Sequence, residues 1–212
     1  VVDLDTDVDL VDRSDLSKIQ FVLKAKENIY SPVDGSLMFA KDEKITTESS
    51  GAIVNTGTEI GKGIYALSKD GQLDISNLPM GTGEAKYYFE EVKTLDGCVL
   101  DEAKQSFTFR QKDFTTKNYS KDLNVENKTT HFEFNKTDVT GDKEVLGAQL
   151  TITDEKGNIV DQWVSTEKPH SIEGLVVGET YTLSETVTAK DYVKASDIRF
   201  TVKSSSELET VT

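Results

Sequence analysis

Cysteine and histidine, the side chains that often serve in metal binding and acid–base catalysis, are scarce in this chain of 212 residues. It contains one cysteine, Cys98, and two histidines, His131 and His170. A single cysteine can form neither an intrachain disulfide nor a cysteine-based zinc site. Neither histidine stands in the order of a recognised catalytic triad. We therefore expect no metal, no cofactor and no catalytic turnover.

Acidic residues near the start of the chain raise the question of calcium binding. They are Asp3, Asp5, Asp7, Asp9 and Asp12. An EF-hand loop also needs a central glycine and a closing glutamate, which this segment lacks. Because apolar residues alternate with most of these acids, we interpret the segment as a strand with an acidic, solvent-facing side.

Lys136 has an unusual predicted position. It continues the alternation of Phe132 and Phe134, so its side chain is expected on the same apolar face. A charge on that face costs free energy unless it is paired or neutralised. On alternation alone a second interpretation stays open, in which Lys136 ends its strand and reaches solvent.

The overall charge excludes several classes of partner. Lys and Arg number 24 against 38 Asp and Glu, which gives a net charge of −14. An acidic chain is a poor ligand for nucleic acid or for an anionic membrane surface. No apolar run is long enough for a transmembrane helix, and both ends are expected to continue into a longer protein.

Period-two alternation recurs along the chain and predicts short antiparallel strands separated by glycine-containing turns. Two stretches, 24–29 and 101–104, are candidates for a short helical turn. The predicted fold class is all-β, with two tandem immunoglobulin-like or prealbumin-like β-sandwiches.

An internal repeat supports the count of two domains. In YYFEEVKTLDGC (87–98) and YTLSETVTAKDY (181–192), tyrosine opens each segment and glutamate is the fifth residue. We place the domains at 1–127 and 128–212. The first has a longer insertion, roughly 30–60.

The second repeat resembles the collagen-adhesin B-type domains of Gram-positive surface proteins and pilins, which are SpaA-like and prealbumin-like. The resemblance rests on three stretches, HFEFNKTDVTGDKEVLGAQLTITDEKGNIVDQWVS (131–165), YTLSETVTAKDY (181–192) and IRFTV (198–202). It covers all of 128–212 and, more weakly, 1–127. The proline of the family's turn is missing before Tyr192.

The resemblance implies a self-generated amide cross-link. In such domains a lysine on the first strand bonds to Asn or Asp on the last strand, and a glutamate on a middle strand catalyses the step. By position these are Lys136 and Glu185, with the acceptor expected beyond Thr212. Burial lowers the pKa of a lysine and raises that of a glutamate, which favours a neutral, nucleophilic amine.

The first repeat departs from this pattern. The residues at its lysine position are Thr6, Asp7 and Val8. Glu91 and Asn127 match the glutamate and the acceptor, so this domain is expected to lack a cross-link. The alternative is a displaced lysine, Lys18 or Lys24.

These features favour a structural stalk or backbone module of an adhesin or pilin that is secreted and anchored to the cell wall. Its expected partners are neighbouring domains of the same surface protein and, in addition, a host matrix or glycan ligand. An alternative is a ligand-binding adhesin module that uses the loops at 30–60. A third hypothesis, a transthyretin-like enzyme or carrier, is disfavoured by the scarcity of histidine.

Overall fold

The computed structural model describes residues 8–111, 119–138, 140–141 and 143–212. Asp3, Asp5, Thr6 and Asp7 lie outside the described residues. The predicted all-β class is confirmed. Neither candidate helical stretch is helical, and the helical elements within the described ranges are a 3-10 turn (Leu16–Lys18) and the short α1 (Thr47–Ser50).

The chain forms two compact units. The N-terminal unit comprises Asp12–Leu95 and Leu100–Asn127. The C-terminal unit comprises Val1–Val11, Asp96–Val99 and Lys128–Thr212. The sequence-based limits, 1–127 and 128–212, stay a prediction. No helix among the described residues is both long and apolar enough to cross a bilayer.

The N-terminal unit contains nine of the described strands. They are β2 (Gln20–Ala25), β3 (Ile29–Tyr30), β4 (Leu37–Phe39), β5 (Ile53–Thr56), β6 (Thr58–Gly61), β7 (Ile64–Ala66), β8 (Asp74–Ser76), β9 (Glu84–Lys93) and β11 (Gln105–Arg110). Five of them form one sheet in the order β11-β9-β2-β7-β6, and β3-β4 and β5-β8 form two-stranded sheets. The buried core includes Leu23, Tyr65, Tyr87 and Phe107.

The C-terminal unit contains the other strands. They are β1 (Val8–Asp9), β10 (Cys98–Val99), β12 (Lys128–Thr129), β13 (His131–Phe134), β14 (Gln149–Thr153), β15 (Ile159–Val164), β16 (His170–Glu173), β17 (Thr180–Val187), β18 (Ile198–Thr201) and β19 (Leu208–Val211). Two four-stranded sheets have the orders β1-β16-β13-β19 and β15-β14-β17-β18, and β10 pairs with β12.

Side chains from both four-stranded sheets build one core. Phe132 and Phe134 come from the first sheet, and Leu150, Ile152 and Trp163 from the second. The alternation that predicted the strands therefore places these residues in a sandwich interior.

The two units repeat the same three-stranded arrangement. Tyr87 pairs with Phe107 in the first, and Tyr181 with Phe200 in the second. The repeat glutamate pairs with Phe21 in the first unit and with Leu150 in the second. In both units the register shifts just before that partner, between Gln20 and Phe21 and between Gln149 and Leu150. The repeat seen in the sequence thus extends to strand register and to a shared bulge.

Candidate functional site

The C-terminal unit brings Lys136 and Glu185 together. Lys136 lies two residues after β13, and Glu185 is on β17 in the opposite sheet. The Nζ of Lys136 is 3.8 Å from Oε2 of Glu185. The carboxylate side chain is 1% exposed and the lysine side chain 18% exposed, so the lysine points inward and not into solvent. This distance suits an ion pair but is long for a direct hydrogen bond.

The two carboxylate oxygens of Glu185 have different surroundings. The amide N–H of Ala195 donates to Oε2 at 2.6 Å. Oε1 is buried and has no hydrogen-bond partner among the described residues. Such an oxygen is costly to bury, so it is available to a proton or to a donor that arrives at the site.

The loop after β13 fixes the backbone of Lys136. Its N–H donates to Oε2 of Glu144 at 3.1 Å, and its carbonyl accepts from the N–H of Val145 at 2.6 Å. Val145 is itself 2% exposed. The lysine backbone is therefore anchored on both sides before its side chain turns towards Glu185.

The closing strand β19 runs parallel to β13 and ends beside the lysine. Phe134 pairs with Val211, and the N–H of Asn135 donates to the carbonyl of Val211 at 2.9 Å. Oδ1 of Asn135 is buried without a hydrogen-bond partner among the described residues. The register therefore leads β19 towards the position of Lys136.

The N-terminal unit brings together the glutamate and the asparagine of the first repeat. Asn127 donates through Nδ2 to Oε1 of Glu91 at 2.6 Å and to Oγ1 of Thr94 at 2.6 Å. The amide N–H of Asp101 donates to Oε2 of Glu91 at 2.7 Å. Glu91 is 4% exposed, so both carboxylate oxygens are satisfied by this buried network.

The first repeat shows no lysine in ionic contact with Glu91 among the described residues. Val8, one of the residues at the expected lysine position, lies in β1 and pairs with Ile172 of the C-terminal unit. Of the displaced candidates, Lys24 pairs with Glu90 at 2.7 Å, and Lys18 lies exposed in the 3-10 turn.

One shared feature was missed from the sequence, namely the amide that caps each glutamate. Asp101 and Ala195 each follow their glutamate by ten residues and donate to it through the backbone. Because backbone donors carry no residue signature, only the equal spacing in the two repeats could have indicated them.

The remaining candidate residues have structural contacts. Cys98 is buried in β10. His170 places Nε2 2.6 Å from Oδ2 of Asp161 and stacks on Trp163 at 4.1 Å between ring centres. Nε2 of His131 lies 3.0 Å from Oγ of Ser171. Within the described ranges no group of three His, Cys, Asp or Glu residues is placed to hold a metal ion.

Comparison with known proteins agrees with the double sandwich. The SpaA prealbumin-like fold domain matches twice, over residues 6–124 and 130–212. The chain therefore belongs to the SpaA prealbumin-like domain family, in two copies, as the resemblance implied. No curated protein sequence matches the chain significantly.

Similar solved structures are distant in sequence. The Bacillus anthracis TIE protein is 19% identical with a TM-score of 0.47, over 97% of this chain and 32% of its own. A C-terminal fragment of the pilus adhesin SpaC from Lactobacillus rhamnosus GG is 15% identical with a TM-score of 0.42, over 95% and 82%. The shaft pilin SpaA from the same organism is 15% identical with a TM-score of 0.33, over 92% and 88%.

Proposed function

We propose that the chain is a structural segment of a Gram-positive surface protein, an adhesin or a pilin, that is secreted and anchored to the cell wall. Its two domains, 1–127 and 128–212, would hold a neighbouring domain of the same protein away from the wall. Membership of the SpaA family supports this role. The large excess of acidic residues keeps such a module soluble and separate from nucleic acid.

We further propose that the second domain is cross-linked by an isopeptide bond from Lys136. The observation that carries this proposal is the contact of its ammonium with the buried Glu185, whose second oxygen has no hydrogen-bond partner within the described ranges. Because the carboxylate is almost fully buried, transfer of a proton to it from the ammonium replaces two charges by two neutral groups where a charge is costly. The resulting amine has a lone pair and can attack a carbonyl carbon.

The reaction balances without any cofactor. The Nζ atom bonds to the carboxamide carbon of an asparagine, the carbon–nitrogen bond of that carboxamide breaks, and ammonia leaves. Glu185, already protonated by the ammonium, gives that proton to the leaving nitrogen and takes a second proton from the attacking nitrogen, so it ends as a neutral carboxyl. With aspartic acid as acceptor, water leaves instead. Each molecule reacts once, so the domain has no turnover.

The acceptor is proposed to lie on a continuation of β19 past Thr212. In the parallel pairing of β13 with β19, Phe134 faces Val211, so the second residue after Val211 faces Lys136. In the first repeat, Val125 is likewise followed two residues later by Asn127, and that asparagine contacts Glu91. The equivalent position in the second repeat is the residue after Thr212.

The cross-link can be tested in a chain that is extended after Thr212 by Asn-Lys, the order found at Asn127 and Lys128. We expect its intact mass after denaturation to be lower by one ammonia than its sequence predicts. Lys136→Ala should restore the full mass, and Glu185→Gln should slow the loss. Lys156→Ala, in an exposed hairpin turn, is the matched control. The cross-link would be contradicted by the full mass in every sample, or by a loss of ammonia that persists in the Lys136→Ala variant.

A further inference from the structure

A cavity of about 340 Å³ on the N-terminal unit has a distinctive lining. It is lined by three lysines (Lys26, Lys41 and Lys104), two acids (Glu27 and Asp42), and Tyr88 and Ser106. Its volume lies near the lower end of the range for small-ligand pockets. Two lining residues belong to the insertion at 30–60, where the sequence placed any ligand site of the first domain.

Backbone hydrogen bonds fix the walls of this cavity. The N–H of Asp42 donates to the carbonyl of Ala25 at 2.8 Å, which fastens the turn after β4 to β2. The N–H of Lys41 donates to Oδ1 of Asn28, also at 2.8 Å. Tyr88 lies on β9, Ser106 lies on β11, and Lys104 immediately precedes β11. The cavity is therefore formed by anchored segments.

The two acids of the cavity are already engaged by other groups. Both oxygens of Glu27 lie 3.0 Å from Nζ of Lys86, outside the lining set. Oδ1 of Asp42 accepts from the hydroxyl of Tyr88 at 2.9 Å. Burial and then this hydrogen bond raise the pKa of Tyr88 to about 12, so the hydroxyl stays a donor at neutral pH.

The three lysines, in contrast, have no carboxylate partner in the described part of the chain. Nζ of Lys26 donates to Oγ of Ser106 at 3.1 Å. Nζ of Lys104 lies 4.5 Å above the ring centre of Tyr88 and 3.5 Å from its hydroxyl. The side chain of Lys41 is exposed and forms no hydrogen bond or ion pair with any residue that the structure describes. Three ammonium groups thus line one cavity, and neither of its two carboxylates forms an ion pair with them in the described part of the chain.

We propose that this cavity binds an acidic sugar, a single hexose-sized residue carrying a carboxylate or a sulfate. Ammonium groups are donors only and need an acceptor, of which an anion is the strongest, whereas the carboxylate of Asp42 needs a donor such as a sugar hydroxyl. A ligand with both functions on a small ring satisfies both requirements. The net charge of −14 opposes a long polyanion, so only a short or terminal residue fits.

Titration of the isotope-labelled chain, followed by amide chemical shifts, tests the site. The acidic probes are glucuronic acid, N-acetylneuraminic acid and N-acetylglucosamine 6-sulfate; the neutral probe is N-acetylglucosamine, and inorganic sulfate represents the anion alone. We expect at least one acidic sugar to shift amides around Lys26, Lys41 and Lys104. The carboxylated and sulfated probes show which anion the cavity prefers.

Matched variants separate the cavity from general surface charge. Lys41→Gln with Lys104→Gln should weaken the acidic sugar about tenfold or more, since charge-assisted hydrogen bonds are lost. Lys69→Gln, an exposed lysine outside the lining, should leave the affinity unchanged.

Three results would overturn this proposal: equal binding by the double variant, equal binding of the neutral sugar, or sulfate alone binding as tightly as the acidic sugars. Absence of shifts with every acidic sugar would also overturn it. None of these outcomes bears on the mass test of Lys136, so the two proposals can fail separately.

Discussion

Replacing Lys136 by methionine removes the positive charge that lies 3.8 Å from the buried carboxylate of Glu185. Methionine keeps the length and apolar stem of lysine, so the change in packing is small. The substitution therefore isolates the ion pair and leaves the sandwich around it intact.

The expected loss follows from the distance and the burial. At 3.8 Å, with an effective dielectric constant of about 20, the attraction is about 4 kcal/mol. Removing one partner of a buried pair leaves the other charge uncompensated and costs about 3–5 kcal/mol. Glu185→Gln should cost less, about 1–2 kcal/mol, because the amide oxygen still accepts from Ala195 and the lysine is partly hydrated.

Trp163 provides an assay specific to the C-terminal unit. It is the single tryptophan of the chain, 8% exposed, and its ring centre lies 5.6 Å from that of Phe134. The fluorescence of Trp163 during unfolding in urea therefore measures the unfolding of the C-terminal unit, with no tryptophan signal from the N-terminal unit. The intact mass of each sample should be recorded first, so that every comparison concerns the same covalent state.

The two single variants and the double variant form a cycle. We expect the losses to be non-additive, with a coupling free energy of about 1–3 kcal/mol, because the double variant leaves no buried charge. An unchanged midpoint for Lys136→Met, or a larger loss for Glu185→Gln than for Lys136→Met, would refute this account of the site.

Three further predictions concern the frame around the sites. Phe134→Ala should destabilise the C-terminal unit by about 3–5 kcal/mol in the same urea assay, because it empties a fully buried position; a loss below 1 kcal/mol would mean that the core collapses to fill the space. Gly97→Ala should cost more than about 2 kcal/mol, since φ is +83° and a Cβ would clash with the carbonyl oxygen of Gly174; equal stability would show that the turn can rearrange. The hydrogen bonds from Asn158 hold the pKa of Asp154 below its usual range, so this carboxylate stabilises the fold above its unfolded pKa and loses that effect as the pH falls through its folded pKa. Asp154→Ala should flatten that part of a stability–pH curve measured by thermal unfolding, and an unaltered curve would argue against the assignment.

The repeat and the strands were predictable because side-chain alternation is a local signal. Tyr87 with Tyr181 and Glu91 with Glu185 fall at equivalent register positions, as the alignment required. The phase of Lys136 with two phenylalanines left two directions open, inward or towards solvent, and the structure shows a side chain that is 18% exposed. Its contact with Glu185 came only from the family resemblance, since 49 residues separate the two and periodicity carries no information over that distance.

Other features lay beyond sequence reasoning. The helix Thr47–Ser50 begins with a capping box between Thr46 and Ser49 and ends at Gly51, which has a left-handed conformation. In the sequence these capping residues are a weaker signal than the alternation that predicts strands. Val8–Asp9 lies inside the limits predicted for the first domain and pairs with β16, a strand of the C-terminal unit. Which sheet edge a short strand joins depends on tertiary contacts, and alternation is the same in either place.

The pairing of β10 with β12 matters for any attempt to divide the molecule. Cys98 faces Thr129 and Val99 faces Lys128 across this two-stranded ladder, although the second repeat begins only at Lys128. A protein split after Asn127 would carry the two partners on different fragments. The thiol of Cys98, now 5% exposed, would then lose part of its cover. Its rate of alkylation would report whether the two fragments, once separated, can find each other again.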